Sequence, residues 1–330
     1  MTPDPPDPPD PIDAVITWVD GDDPVLRAKR IKYLGEGAIA GAEATRFASA
    51  DEIVYCVLSI LKNAPWFENI YIVTDAQIPP VFEAVKQHFP EQLPKIKIID
   101  HTEIFRGFAH HLPSFNSISI SMLVHKIPAL NERFVFFNDD VFLVRDVKAD
   151  EFFAADKPVL RGAWMGLGLR GVELLRDTLN ALMRVPKEQQ RFGSKRVQLN
   201  AARVAGFSAK TFIAMHTPHP MRVSTMAGFA AHNQARFEKN LSFRVRHLSQ
   251  IGTEALANHL ELFRDNALVQ SGKDTVYIRA EREPEAKVLA KLARIEQDPE
   301  IKILCVQSLD NAPQTVQTDI TNWLNQRFKP

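Results

Sequence analysis

Asn138-Asp139-Asp140 is the tripeptide best suited to chemistry in this chain, because two adjacent carboxylates directly follow the apolar run Arg133 to Phe137. A stiff strand that ends in paired carboxylates can present them to a hard divalent cation bridging a diphosphate. The same residues can also close a strand as a solvated turn, the ordinary use of Asn and Asp. Asp20 lies in a second acidic turn with Asp22 and Asp23, but the twelfth position counted from Asp20 is Ile31 rather than glutamate, which excludes an EF-hand loop. His216-Thr217-Pro218-His219 spaces two imidazoles three residues apart, fit for a base, a phosphate contact or a metal, or for local satisfaction in the fold; the proline predicts a loop. There is no Walker loop and no GxGxxG turn, and Ser114 and Ser117 lack the GxSxG context of a hydrolase nucleophile.

The elements that must carry these residues follow from periodicity. Ile12 to Val19 reads as a β-branched strand stopped by the turn Asp20 to Pro24. Ser49 to Glu52 has capping-box spacing and opens a helix with apolar positions Ile53, Val54, Val57, Leu58 and Leu61, ended by Pro65. Asn69 to Thr74 is a strand, Pro80 to Phe89 a helix, Ile96 to Ile99 a strand, Asn116 to Lys126 a helix, and Arg133 to Phe137 a strand. This alternation predicts a parallel sheet flanked by helices, with Asp20 and Asp139-Asp140 at the carboxyl ends of strands, the edge where open α/β sheets bind ligands. Beyond Phe153 the pattern is mainly helical: Val172 to Met183, Thr253 to Phe263, Pro284 to Gln297 and Ala312 to Phe328, with short strands near Pro158 to Arg161 and Ile301 to Cys305.

Six of the 22 prolines fall within the first 11 residues, so residues 1–11 read as a disordered Pro/Asp-rich tail. Residues 12–330 read as one domain, with an α/β half at 12–155 and a mainly helical half at 156–330 that completes the site. The 40 basic and 40 acidic residues cancel, which argues against bulk attraction to nucleic acid. The charge is uneven, however. Residues 1–23 hold seven aspartates and no Lys or Arg, whereas Arg184 to Arg246 holds twelve Lys/Arg against Glu188 and Glu238. That segment is either a solvated basic face or the meeting place for an anionic substrate, a phosphorylated acceptor or a membrane surface. Cys56 and Cys305 sit in apolar surroundings without a CxxC pair and read as buried reduced thiols of a cytosolic protein. The longest near-apolar run, Ile53 to Leu61, is short of the ~18 residues of a membrane span, and Met1 to Pro11 has no secretory-signal pattern.

The wording and order of four blocks resemble the Stealth proteins, the bacterial capsular polysaccharide phosphotransferases related to the catalytic core of the animal N-acetylglucosamine-1-phosphotransferase. The first is IDAVITWVDGDDP at Ile12 to Pro24, followed by Arg46-Phe47, Ala64-Pro65-Trp66 and the strand Ile70 to Asp75. The second is LPSFNSISISMLVHKIPALNERFVFFNDDVF at Leu112 to Phe142. The third is HTPHPMRVSTM at His216 to Met226 with Phe243 to Arg246, and the fourth, shorter, is LCVQSLDNA at Leu304 to Ala312. Two departures stand out: Ser117 to Ser121 holds no acidic residue where the pattern continues through one, and Ile16 stands where tyrosine is common.

The resemblance implies a glycosyltransferase-A-like α/β fold and transfer of a hexose 1-phosphate from a nucleotide sugar to a glycan hydroxyl, releasing the nucleoside monophosphate. It implies Asp139 and Asp140, with Asp310, as ligands of Mg²⁺ or Mn²⁺. Arg46 and Arg246 are assigned to phosphate charge, His216 to the base or a phosphate contact, and Asp20 to the nucleotide border. Asn116, Ser114, His219 and Arg244 complete the expected substrate contacts. The expected donor is a UDP-linked N-acetylhexosamine and the acceptor a glycan or phosphoglycan, with no nucleic acid, in the cytoplasm or at the inner face of the membrane beside a capsule assembly. The rival readings are a metal-dependent glycosyltransferase releasing the nucleoside diphosphate and an inactive glycan- or nucleotide-binding protein.

Overall fold

The computed structural model describes residues 10–35, 51–183 and 193–329. Most of the Pro/Asp-rich tail, Arg46-Phe47 and Ser49-Ala50 lie outside them. From the amino end run β1 (Ile12–Thr17), α1 (Pro24–Leu34), α2 (Glu52–Asn63), β2 (Ile70–Thr74), α3 (Phe82–His88), β3 (Ile96–Asp100), α4 (His101–Ile104), α5 (Ser117–Ser121) and β4 (Arg133–Asn138). They are followed by β5 (Val141–Leu143), β6 (Phe153–Ala154), β7 (Lys157–Met165), α6 (Leu167–Leu182), α7 (Ser194–Val204), β8 (Thr211–Ala214), β9 (His219–Arg222), α8 (Val223–His232) and α9 (Gln234–Leu241). The chain closes with α10 (Thr253–Phe263), β10 (Leu268–Gln270), β11 (Thr275–Arg279), α11 (Glu285–Gln297), β12 (Ile303–Gln307) and α12 (Gln314–Phe328).

The central sheet has the order β3-β2-β1-β4-β9, parallel except for β9, which pairs antiparallel with β4. The expected α/β class with a mostly parallel sheet is therefore present. Strand order reverses at β1, with β2 on one side and β4 on the other, so the crevice at its carboxyl end lies between Thr17 and Asn138, which are register partners. Period-two alternation loads both faces. Ala14, Ile16, Ile72, Val135 and Phe137 enter one core, and Val15, Tyr71, Val73, Phe134 and Phe136 enter the other. The first core is closed by α2, β11, β12, α11 and α12, and the second by α8, α9 and α10. At the amino end of β1, buried Asp13 accepts from Asn69 N and Nδ2 at 3.0 Å and from Asn131 N at 2.7 Å, tying three segments together.

Among the described residues, the portion after Phe153 holds six strands, β7 to β12, beside its helices. A stretch expected as one loop is divided, because His219 opens β9. Pro220 is tolerated there since β9 is the sheet edge and a missing N–H costs little. The expected helix from Asn116 is shorter, ending at Ser121 before a 3-10 turn at Val124–Lys126. Asp51 precedes α2 in a left-handed conformation without a side-chain cap bond, and Ser49, the first residue of the expected capping box, lies outside the described residues. The turn expected at Asp20 to Pro24 does more than stop β1. Asp23 accepts from Val25 N at 2.7 Å and Pro24 occupies the first helical turn, which together start α1.

Candidate active site

Each parallel strand delivers acidic residues to the carboxyl edge, but most are taken up internally. Asp20 follows β1, and its Oδ1 accepts from Asp22 N while its own N donates to Gln77 Oε1. Asp75, after β2, pairs with Lys29 at 2.7 Å. Asp100, ending β3, caps α4 and also accepts from Ala76 N. Asp139 and Asp140 differ: among the described residues no cation is recorded within ion-pair distance of either.

Asp139-Asp140 is the joint where the chain leaves the central sheet. β4 ends at Asn138, and β5 turns away to pair antiparallel with β12, setting Cys305 opposite Val141. Val306 N donates to Asp140 O at 3.0 Å, and the Cys305 thiol faces the Asp140 carboxyl. Burial pushes both carboxyls up to about 7, with the Asp140 charge adding at Asp139 and the Glu52 charge adding at Asp140. Cys56 and Cys305 are both free and buried, and burial beside these carboxyls pushes their thiols well up. Asp140 Oδ1 is enclosed with no hydrogen-bond partner among the described residues. Hard oxygen donors, raised carboxyls and an orphaned buried oxygen together fit a divalent cation. Asp310 is not brought to them. After β12 a left-handed Ser308 and a 3-10 turn direct the chain toward Glu281, whose charge together with burial raises the Asp310 carboxyl. Among the described residues, no three-ligand group contains these aspartates.

Beside the joint lies a cleft of about 160 Å³. Thr17 and Asn138 floor it at the strand reversal, and His216, His219, Ser117, Arg246 and Glu254 wall it. His216, on the turn after β8, stacks on Tyr277 of β11 with ring centroids 5.1 Å apart and planes within 12°. The Tyr277 hydroxyl donates to Gln307 Oε1, which fixes the ring beneath the imidazole. Burial lowers the His216 pKa, so the ring is neutral and able to accept a proton at pH 7. His219 is buried deeper. Desolvation, with His216 and Arg161 nearby, takes it down to about 3.

Arg246 donates from Nε and Nη2 to Ser117 Oγ at 3.2 and 2.7 Å. Its position is set by Asn116, whose buried amide nitrogen lies 2.9 Å from Phe243 O, 2.8 Å from Val245 O and 3.0 Å from Gln250 Oε1, while Asn116 Oδ1 caps α5 through Ile118 N. Asn116 thus holds the Phe243–Arg246 segment against α5 from within the fold. Arg244 donates to Pro113 O at 2.8 Å and lies over the Tyr33 ring, and Ser114 is buried. Arg46 lies outside the described residues. Sequence reasoning missed Glu254, Tyr277, Thr17 and Glu52. Glu254 and Glu52 look like ordinary first-turn acids of α10 and α2, and no local signal marks Tyr277.

Two family models match the chain: Stealth protein conserved region 1 over residues 10–38 and conserved region 2 over residues 46–160. These spans include Asp20, Arg46, Asn116, Asp139 and Asp140; His216, Arg246 and Asp310 fall outside them. A capsular polysaccharide phosphotransferase of Actinobacillus pleuropneumoniae is 40% identical over 146 residues, covering 43% of this chain and 38% of its own. An exopolysaccharide phosphotransferase of Streptomyces coelicolor is 44% identical over 141 residues, covering 42% and 25%. Capsular polysaccharide phosphotransferase LcbA of Neisseria meningitidis is 37% identical over 145 residues, covering 43% and 37%. The chain spans less than two fifths of the length of these curated relatives. Among solved structures, the galactosyltransferase LgtC with donor and acceptor sugar analogs is 11% identical at a TM-score of 0.46, covering 96% of each chain. That likeness of overall course is too loose to carry chemistry across.

Proposed function

We propose that this chain, which carries conserved regions 1 and 2 of the Stealth proteins, is the catalytic core of a sugar-1-phosphate transferase acting in capsular or cell-surface polysaccharide synthesis. The observation that carries the reading is a single cleft at the strand reversal that joins the Arg246 guanidinium and the neutral His216 imidazole, with Asp139 and Asp140 outside its lining but directly following Asn138 in its floor. In this reading the acceptor hydroxyl attacks the sugar-bearing phosphorus of a nucleotide sugar. The new O–P bond forms as the bond to the bridging oxygen breaks, the nucleoside monophosphate leaves, and the hydroxyl proton passes to a ring nitrogen of His216. Arg246, steadied by Ser117, places positive charge on the phosphoryl oxygens, where the transition state gathers charge. Asp139 and Asp140 would hold Mg²⁺ or Mn²⁺, which when bound supplies positive charge to the diphosphate.

His219 and Tyr277 orient His216 in this scheme, while Asn116 keeps Arg246 in register. Asp20 borders the nucleotide from the end of β1, and Arg46 adds a second phosphate cation. Ser114 and Arg244 extend the wall toward the acceptor, and Asp310 stands back from the metal pair. The donor is a UDP-linked N-acetylhexosamine and the acceptor a glycan or phosphoglycan. Among the described residues no helix is long and apolar enough to cross a membrane. The reading sets the protein in the cytoplasm, where buried Cys56 and Cys305 stay reduced, or against the inner membrane face. The test is a panel of nucleotide sugars incubated with acceptor glycans and Mg²⁺ or Mn²⁺, with the released nucleotide identified. Nucleoside monophosphate supports the transferase; nucleoside diphosphate alone assigns the chain to ordinary glycosyl transfer, and no turnover with any donor favours a binding protein.

A further inference from the structure

We infer that His110, His111 and Glu238 form a binding site for one Zn²⁺-class ion, separate from the Asp139-Asp140 pair. The two imidazoles project from the 3-10 turn Ala109–His111 with ring centroids 4.0 Å apart, facing Glu238 on α9. Their Nε2 atoms lie 3.2 and 3.8 Å from the same Glu238 oxygen, and one ligand atom from each residue falls within 4.8 Å of the others. Tetrahedral bonds of about 2.0–2.1 Å require ligand atoms roughly 3.3–3.4 Å apart, and the two distances to Glu238 lie on either side of that edge length. His111 Nε2 is the second observation. It is enclosed and has no hydrogen-bond partner among the described residues, yet it faces a carboxylate beyond hydrogen-bond reach.

Two borderline imidazole nitrogens beside one carboxylate favour zinc over the cations suited to the all-oxygen pair Asp139 and Asp140. Three protein ligands leave a fourth position for water. An ion here would tie the turn before Leu112 to α9. Phe108 and Phe237 pack beside that junction at 5.7 Å, and the α9 carbonyl of Asn240 accepts from Ser119 and Gln250 in the layer that supports Arg246. The ion is thus a brace for one wall of the cleft rather than part of its chemistry.

The experiment is calorimetric titration of the full chain with Zn²⁺ in excess Mg²⁺, repeated with Co²⁺ to read the absorption spectrum of a tetrahedral site. The wild type should bind one equivalent and melt higher when loaded. His110→Ala and Glu238→Gln should each weaken binding on the order of tenfold or more. The His110 side chain is 59% exposed, so its variant keeps the fold even if a change at Glu238 disturbs α9. No bound equivalent in the wild type, or unchanged affinity in His110→Ala, would overturn the site.

Discussion

Asp139 and Asp140 sit where like charge and burial oppose ionisation, and this conflict makes them informative. Their raised pKa values mean that the folded state holds protons the unfolded state has already released near the ordinary 3.8. Without a cation, that contribution to stability is complete below about pH 4 and is lost as pH rises through about 7. A bound cation replaces the protons, so Mg²⁺ or Mn²⁺ should raise the melting temperature clearly at pH 8 and little at pH 5.5. Equal protection at both values would remove these carboxyls from metal binding. Asp140→Asn should fold, melt higher than the wild type at pH 8 in chelator, and lose turnover on the order of 10²-fold or more. Near-normal turnover in that variant would exclude the pair from the reaction. Arg246→Lys tests the opposite wall. A lysine ammonium cannot reproduce the fork that meets Ser117 through Nε and Nη2, so kcat/KM should fall by at least about tenfold, ~1.4 kcal/mol of transition-state stabilisation. Unchanged kinetics would show that the guanidinium serves the fold through Ser117 and does not act on a phosphoryl group.

At the scale of elements, strongly periodic segments were readable and short or pairing-dependent ones were not. Thr253–Phe263 is a helix over the expected residues, and β1 to β4 fall within two residues of their expected bounds, because apolar alternation and helical spacing leave local marks. β5, at three residues, and β9, which contains Pro220, carry no such mark; their partners β12 and β4 define them. The same reason hid half of the site. Asp139 and Asp140 announce themselves by type and position, whereas Glu52, Cys305 and Tyr277 reach the joint and its cleft only through packing between segments far apart in sequence. Asn116 was visible as a polar residue in a distinctive block, but only its bonds to Phe243, Val245 and Gln250 reveal that it works from within. Buried histidines at element junctions give this fold an acid sensitivity of its own. His125 is buried beside Phe237, with its pKa down to about 4, so it stays neutral while the unfolded chain takes up a proton below 6.5. Its contribution is present above that value and is lost as pH falls toward 4, by about 1.4 kcal/mol per pH unit. The stability difference between the wild type and His125→Phe, from urea unfolding at pH 7.5 and 5, should therefore shift in favour of the variant on acidification. A difference independent of pH would show that His125 titrates normally.

Considered whole, the described residues pack into two main cores on the faces of one sheet, each built from segments far apart in the chain. Residues 276–328 close the first core and bring β12 against β5; residues 201–257 close the second and carry Arg246 to Ser117. The cleft therefore exists only when distant segments are packed together, and its chemistry belongs to the whole chain rather than to the matched 10–38 and 46–160 spans. A cation at the carboxylates could assist departure of either a nucleoside monophosphate or a diphosphate. What separates the two reactions is whether phosphorus travels with the sugar, and the guanidinium and imidazole at one cleft favour a transition state on phosphoryl oxygens. The most direct measurement uses a nucleotide sugar with ³²P at the sugar-bearing phosphate and follows the label after one round of transfer. The account predicts that the label enters the glycan as a phosphodiester while unlabelled nucleoside monophosphate is released; label found only in free nucleoside diphosphate, with a phosphorus-free product, would contradict it.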